Sequence, residues 1–156
     1  MASWREIEAQ APELAARARA LFDANKHKTL ATVRRDGSPR ISGSEIIFAD
    51  GELWMGSMWK AVKALDLRRD PRFALHSASD GEGWEADAKL AGRVEEVDDD
   101  EVKDAVVAGQ APPGPMHLFR ADVTELVVTA LAGDPPDRLA IESWHEGRGV
   151  TRRERR

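Results

Sequence analysis

The sequence contains neither cysteine nor tyrosine. Disulfides, thiolate metal sites and thiol nucleophiles are therefore excluded, and so is any phenolic acid or base. A long apolar run is missing as well: nothing approaches the ~18 residues that span a bilayer as a helix. The first twenty residues carry Glu6, Glu8 and Glu13 where a signal peptide would be basic and then apolar, so the expected location is the cytoplasm. Positive charge is not in excess: 23 Lys and Arg face 28 Asp and Glu, a formal net charge of -5. A general nucleic-acid binder would show a basic footprint, so neither nucleic acid nor membrane is an expected partner.

What is present describes an ordinary soluble domain. The 156 residues, 42% hydrophobic and 33% charged, suffice for one core, and residues 1–156 are read as a single domain. Ser3-Trp4-Arg5-Glu6 has the spacing of a capping box. Pro12 suits the first position of a second helix, with Leu14, Ala18, Leu21 and Phe22 along one stripe. These N-terminal helices occupy residues 1–27. From Lys28 the period shortens to two, and Asp36-Gly37 and Asp50-Gly51 are hairpin signals between three expected strands: Lys28 to Arg34, Arg40 to Phe48 and Glu52 to Met58. In the middle strand Ser42, Ser44, Ile46 and Phe48 share one face. Glu45 falls on the other face, in an apolar context or a lined cavity.

Further expected strands are Arg72–Ser77, Ala86–Val97, His117–Leu131 and Arg138–His145, with a helix over Asp98–Gly109. Trp84 follows the acidic loop Asp80-Gly81-Glu82 and either covers the barrel or moves as a lid over a ligand. Gln110 to Pro115 reads as a stiff connection. Residues 148–156 read as a basic C-terminal tail, solvated or set against an anion or a second subunit. Antiparallel strands with intervening helices imply a mainly β fold of the Greek-key or split-barrel type.

One stretch carries the functional signal. Around the strand end Met55-Gly56-Ser57 and the helix that follows, Lys60 and Lys63 fall in the expected first turn. Cations there oppose the helix dipole unless an anion is bound. Backbone N–H groups, the Ser57 hydroxyl and two ammonium groups converge in a way that suits a phosphate. Elsewhere, His27, His76, His117 and His145 lie on separate segments with no metal-ligand spacing, and no strained nucleophile turn is visible. Chemistry supplied by a cofactor, or simple binding, fits that pattern.

Leu30-Ala31-Thr32-Val33, Asp36-Gly37-Ser38-Pro39, the strand Glu52–Met58 and Lys63-Ala64-Leu65-Asp66-Leu67-Arg68-Arg69-Asp70-Pro71-Arg72 together resemble the pyridoxamine 5'-phosphate oxidase-like flavin-binding split barrels. Gly92 and Trp144 also stand where that family has them, so the resemblance spans about Lys28 to Gly149. It implies an FMN-binding split barrel. It further implies a homodimer holding FMN, or the deazaflavin F420, at the subunit interface. Lys63 falls on the family's phosphate-binding lysine and Ser57 on its Ser/Thr. Lys60, Ser42 and Ser44 complete the expected cofactor site, with Trp59 or Trp144 stacking near the ring and no side chain assigned as acid or base.

The sequence also departs from the oxidases. Ala61-Val62 replaces their Ser-Arg, their strand-two cations fall near Ser42 and Ile47, and a glutamine falls near Asp87. Lys60, Arg40 or the C-terminal arginines of a second subunit are available to compensate. The reading is therefore an oxidoreductase acting on an unidentified small molecule, and not pyridoxamine phosphate oxidase itself. The alternatives are a non-catalytic flavin-binding or cofactor-free relative and, with least support, a haem-binding protein using His76, His117 or His145.

Overall fold

The computed structural model describes residues 2–78, 83–112 and 114–156. The acidic loop residues Asp80, Gly81 and Glu82, and Pro113 of the proline-rich connection, lie outside that range. The order is α1 (Trp4–Gln10), α2 (Pro12–Asp23), β1 (Lys28–Val33), β2 (Pro39–Ser44), β3 (Ile46–Ala49), β4 (Glu52–Met58), α3 (Val62–Arg69) and β5 (Arg72–His76). Then follow β6 (Ala86–Glu96), α4 (Asp100–Val107), β7 (Met116–Ala132), β8 (Arg138–His145) and β9 (Gly149–Arg155). Every strand pair is antiparallel, and the main path runs β2-β1-β5-β6-β7-β4-β3. The expected mainly β split-barrel class is correct.

The middle strand of the expected meander is broken. Arg40 to Phe48 divides at Glu45 into β2, which pairs with β1, and β3, which pairs with β4. These two halves are the opposite ends of the sheet path, so one residue of chain links the ends of the barrel. Glu45 is exposed at that corner, 3.6 Å from Lys26 and 3.5 Å from His27, instead of in an apolar or lined environment. The turn after β3 forms as its sequence requires: Asp50 and Gly51 both have positive φ, 53° and 76°, the geometry of a two-residue type I′ hairpin.

The long strand β7 explains the split. Its first half, Met116 to Ala121, pairs with β4, and its second half, Glu125 to Ala132, pairs with β8 on the same edge. Strand β6 accompanies both halves along the other edge, with a register shift between Ala91 and Gly92. At that bulge the backbones approach so closely that a Cβ on Gly92 would stand 2.0 Å from the Asp122 carbonyl oxygen. Beyond β8 the chain does not trail off. The expected basic tail is the edge strand β9, with Arg152 bonded to Glu142 at 2.9 Å and to Glu154 at 3.1 Å. Alternation on a paired strand places Arg152 and Glu154 on one side, and the run is paired along its backbone while its side chains stay exposed.

Helices α1 and α2 cover the open side of the sheet. The capping box forms in full, with the Ser3 N–H donating to Glu6 at 2.7 Å and the Glu6 N–H to the Ser3 hydroxyl at 3.3 Å. Trp4, Ile7, Leu14, Ala18 and Phe22 bury against Leu30, Leu53, Phe119, Leu126 and Trp144 in the principal core. A second cluster, Trp54, Val106 and Leu118, fills the space under α4.

Helix α3 buries little apolar surface, chiefly Ala64 and Leu67, and is fastened to the sheet by charge. Buried Asp66 accepts from Thr32 Oγ1 at 2.8 Å and Arg40 Nε at 2.7 Å on one oxygen, and from Arg69 at 2.9 Å on the other. Burial alone would raise its pKa, but the hydrogen bonds from Arg40, Arg69 and Thr32 together outweigh that and hold it below the ordinary carboxylate value. Arg40 is thereby committed to Asp66 and is not free to compensate at the phosphate site.

Two outcomes follow from this packing. Gly92→Ala forces the β6–β7 bulge apart and lowers stability by about 1–3 kcal/mol in urea unfolding. Asp66→Asn removes a buried anion facing two guanidinium groups and costs about 3 kcal/mol at neutral pH. Because the native pKa is depressed, Asp66 stabilises the fold above the ordinary carboxylate pKa of about 3.9, and that contribution is lost as pH falls through the lower native value. Unfolding free energies of the two proteins accordingly converge in acid.

Candidate functional site

The junction of β4 and α3 is built by three consecutive backbone events. Strand β4 ends at Met58, a non-glycine residue with positive φ (Lys60, 59°) reverses the chain, and Ala61 takes the N-cap position of α3. The left-handed conformation costs a residue with a Cβ roughly 1 kcal/mol, so Lys60 must be held in place. Lys60 therefore stands before the helix instead of within its first turn, a correction to the sequence reading. Lys63 is the second helical residue, as expected. Alanine offers α3 no side-chain cap; in the first turn the Ala64 N–H donates to the Ala61 carbonyl at 3.0 Å, and the Val62 and Lys63 N–H groups receive no capping side chain.

Ser57 lies at the end of β4, directly opposite His117 of β7. Its side chain is 9% exposed, and its hydroxyl oxygen is buried with no hydrogen-bond partner. A hydroxyl in that state normally finds a partner, so the orphaned oxygen marks a place where one is expected. Lys63 is half-buried and reaches across to β2, donating to the Gly43 carbonyl at 2.8 Å. Burial lowers its pKa, partly offset by the nearby Glu45 carboxylate. One carbonyl satisfies only one of its three N–H donors. Ser42 and Ser44 flank that carbonyl on the inward face of β2. Ser42 is half-buried, while Ser44 is buried and donates to the Glu45 carbonyl at 3.3 Å.

The fold thus brings two groups together: Lys63 with Ser42 and Ser44 on β2, and Ser57 with Lys60 beside β7. The two tryptophans part company. Trp59 stays at the junction, 46% exposed and stacked on the His117 imidazole at 4.6 Å and 12°. Trp144 is fully buried in the core, its Nε1 donating to Gln10 at 3.1 Å, and with no exposed ring it is withdrawn from the expected stacking set.

Sequence reasoning missed the frame around Lys60. His117 is fully buried, with Nε2 accepting from the Lys60 main-chain N–H at 3.1 Å and Nδ1 at 2.7 Å from Glu96. Glu96 in turn receives two hydrogen bonds from Arg68, at 2.6 and 2.9 Å, which hold its carboxyl below the ordinary range. Residues 60, 68, 96 and 117 have no common spacing that could reveal this. The other histidines named as axial-ligand candidates are also engaged: His76 Nδ1 lies 2.6 Å from the Ser77 carbonyl and His145 Nε2 3.1 Å from Glu125. Among the described residues no group of three or more His, Cys, Asp or Glu is arranged for a metal, and no helix is long and apolar enough to cross a membrane.

A recess of about 700 Å³ opens on the α4 side of Trp59, bordered by Asp98, Asp100, Asp104 and Met116. Its lining includes none of Ser57, Lys60 or Lys63. An anion would find carboxylates there. Trp84, half-buried, donates from Nε1 to Asp87 at 3.1 Å, which ties it to the start of β6.

Comparison with known proteins agrees with this fold. The family model described as pyridoxamine 5'-phosphate oxidase matches residues 14–130. Curated proteins give no match. Among solved structures, a pyridoxamine 5'-phosphate oxidase-related, FMN-binding protein from Nostoc punctiforme is similar over 100% of this chain and 98% of its own, at 18% identity and a TM-score of 0.61. A conserved hypothetical protein from Mycobacterium tuberculosis matches 71% of this chain and 81% of its own, at 23% identity and 0.59. The haem storage protein HutZ from Vibrio cholerae matches 73% and 89%, at 18% identity and 0.58. At such identities the structural likeness is one of fold. The family match, covering most of the sequence, shows that this chain belongs to the pyridoxamine 5'-phosphate oxidase-like family.

Proposed function

We propose that this protein is an FMN-dependent oxidoreductase acting on a small molecule, with the cofactor's phosphate held at the β4–α3 junction. The observation that carries this reading is the Ser57 hydroxyl, buried and without a partner beside a helix start that lacks a side-chain cap. A phosphate accepts from a hydroxyl, from first-turn N–H groups and from ammonium groups at once. Lys60 and Lys63 match the charge of a phosphate dianion. Ser42 and Ser44 would line the β2 side of the ligand and Trp59 the β7 side. Bound there, a flavin supplies hydride transfer, for which no protein acid or base is required. The chain's own residues bind the phosphate, orient the ligand and shield it from water.

The FMN-binding relative from Nostoc punctiforme supports FMN as the first choice. The deazaflavin F420 carries phosphate too, and is the alternative at the same site. A homodimer with the cofactor at its interface belongs to the proposal. In its support, large apolar side chains around the junction stand open: Met58 is 79% exposed, Ile41 74% and Val62 54%. Val62 and Leu65 lie three residues apart and share one face of α3.

A second reading has its own support. Ala61-Val62 contributes no cation beside Lys63, and Arg40 is spent on Asp66. Fewer cations favour a non-catalytic flavin binder or a cofactor-free relative. Titration of the purified protein with FMN and with F420, followed by absorbance and fluorescence, separates the readings. With a charged hydrogen bond worth about 1.5–3 kcal/mol, Lys63→Ala weakens FMN binding by roughly 10- to 100-fold. Riboflavin, which lacks the phosphate, changes little. Unaltered FMN affinity in the Lys60→Ala, Lys63→Ala double variant would overturn the phosphate site, and a monomeric mass in solution would overturn the interface.

A further inference from the structure

We infer that His117 is a positioning residue for the anion site. By accepting the Lys60 main-chain N–H at Nε2, it sets the left-handed turn from which α3 starts. The inference rests on the phosphate-binding role proposed for that junction and assigns the residue that shapes it.

The geometry forms a closed ring of contacts. Arg68, near the end of α3, makes two hydrogen bonds to Glu96 of β6. Glu96 lies 2.7 Å from His117 Nδ1, and His117 Nε2 lies 3.1 Å from the nitrogen of Lys60, immediately before α3. Both ends of the helix are therefore tied to one Glu–His pair on two neighbouring strands. Since Nε2 accepts from an amide, the imidazole proton resides on Nδ1 and is donated to Glu96. The tautomer is thus dictated from both sides. Trp59, the residue before the turn, closes the ring by stacking on the imidazole, with the Arg68 guanidinium 5.7 Å from its centroid.

Each link in the ring has a reason. A fully buried imidazole keeps both nitrogens satisfied here, whereas an apolar residue at 117 would leave the Lys60 N–H without its acceptor and Glu96 with its two bonds from Arg68 alone. Lys60 has a Cβ, so the left-handed turn at φ 59° persists only where its surroundings enforce it. Without the acceptor the turn relaxes. The start of α3, with the Val62 and Lys63 N–H groups, then shifts relative to Ser57 at the end of β4. His117 itself touches none of the proposed ligand's atoms. It acts through Lys60.

Two substitutions isolate the acceptor. In His117→Gln the amide oxygen can occupy the place of Nε2 and accept from Lys60. In His117→Asn the shorter amide can occupy the place of Nδ1, keeping the donor to Glu96 but not the acceptor. Both lose the stack on Trp59 equally. Amide hydrogen exchange at Lys60 in the ligand-free protein and FMN titration are measured for both. The glutamine variant retains protection and FMN affinity within about threefold, while the asparagine variant loses about tenfold in each, the effect of one hydrogen bond.

Equal exchange in the two variants overturns the inference, as does unequal exchange with identical FMN affinity. Failure of the unsubstituted protein to bind FMN overturns the flavin reading instead, and Lys60 exchange then decides the role of His117. If the asparagine variant does not fold, Lys60→Gly is added to it, because glycine adopts the left-handed turn unaided. Rescue supports the inference, and its absence overturns it.

Discussion

Both edges of β7 have to be hydrogen-bonded along a strand of 17 residues, and the rest of the molecule is arranged to meet that demand. On one edge β6 serves nearly the whole length. On the other, β4 serves the first half and β8 the second, so the sheet divides where one partner hands over to the next. Residues 122–124, between the two partners, are not left bare: the Val123 N–H donates to the Ala2 carbonyl at 2.9 Å, from the segment leading into α1. The Gly92 bulge lies opposite the same region and lets the two backbones meet there. Placing β4 against the start of β7 brings Ser57 opposite His117, and so creates the β4–α3 junction.

Charge does for α3 what apolar burial does for α1 and α2. A helix of 8 residues is too short to persist alone, and α3 buries little beyond Ala64 and Leu67. Asp66 anchors one side of it through Thr32 and Arg40, and Arg68 anchors the other through Glu96. Buried ionic contacts such as those of Asp66 add little net stability but strongly penalise alternative placements, because any shift leaves a charge unpaired. The phosphate site proposed at the start of α3 would need that positional control more than stability.

The separation between the proposed phosphate site at the β4–α3 junction and the acidic recess beyond Trp59 has a similar logic. Carboxylates on α4 border the recess, while the basic and hydroxyl groups stay on the β2 and β4 side. Trp59 stands between them.

The sequence by itself determined the elements whose signals are local. The capping box at Ser3 and Glu6, Pro12 at the start of α2 and the Asp50-Gly51 turn all depend on neighbours a few residues away, and each is legible for that reason. Only the tertiary structure decided what depends on distant partners. Glu45 breaks a strand because its two halves are claimed by β1 and β4. Residues 149–155 become an edge strand because β8 offers an unpaired edge. Arg40 is taken by Asp66 and Trp144 by the core. The N–H of Lys60, in its left-handed turn, meets its acceptor in His117, 57 residues later. Spacing along a chain records period and turn chemistry, whereas hydrogen-bond satisfaction of buried groups is settled by whatever the fold brings alongside them.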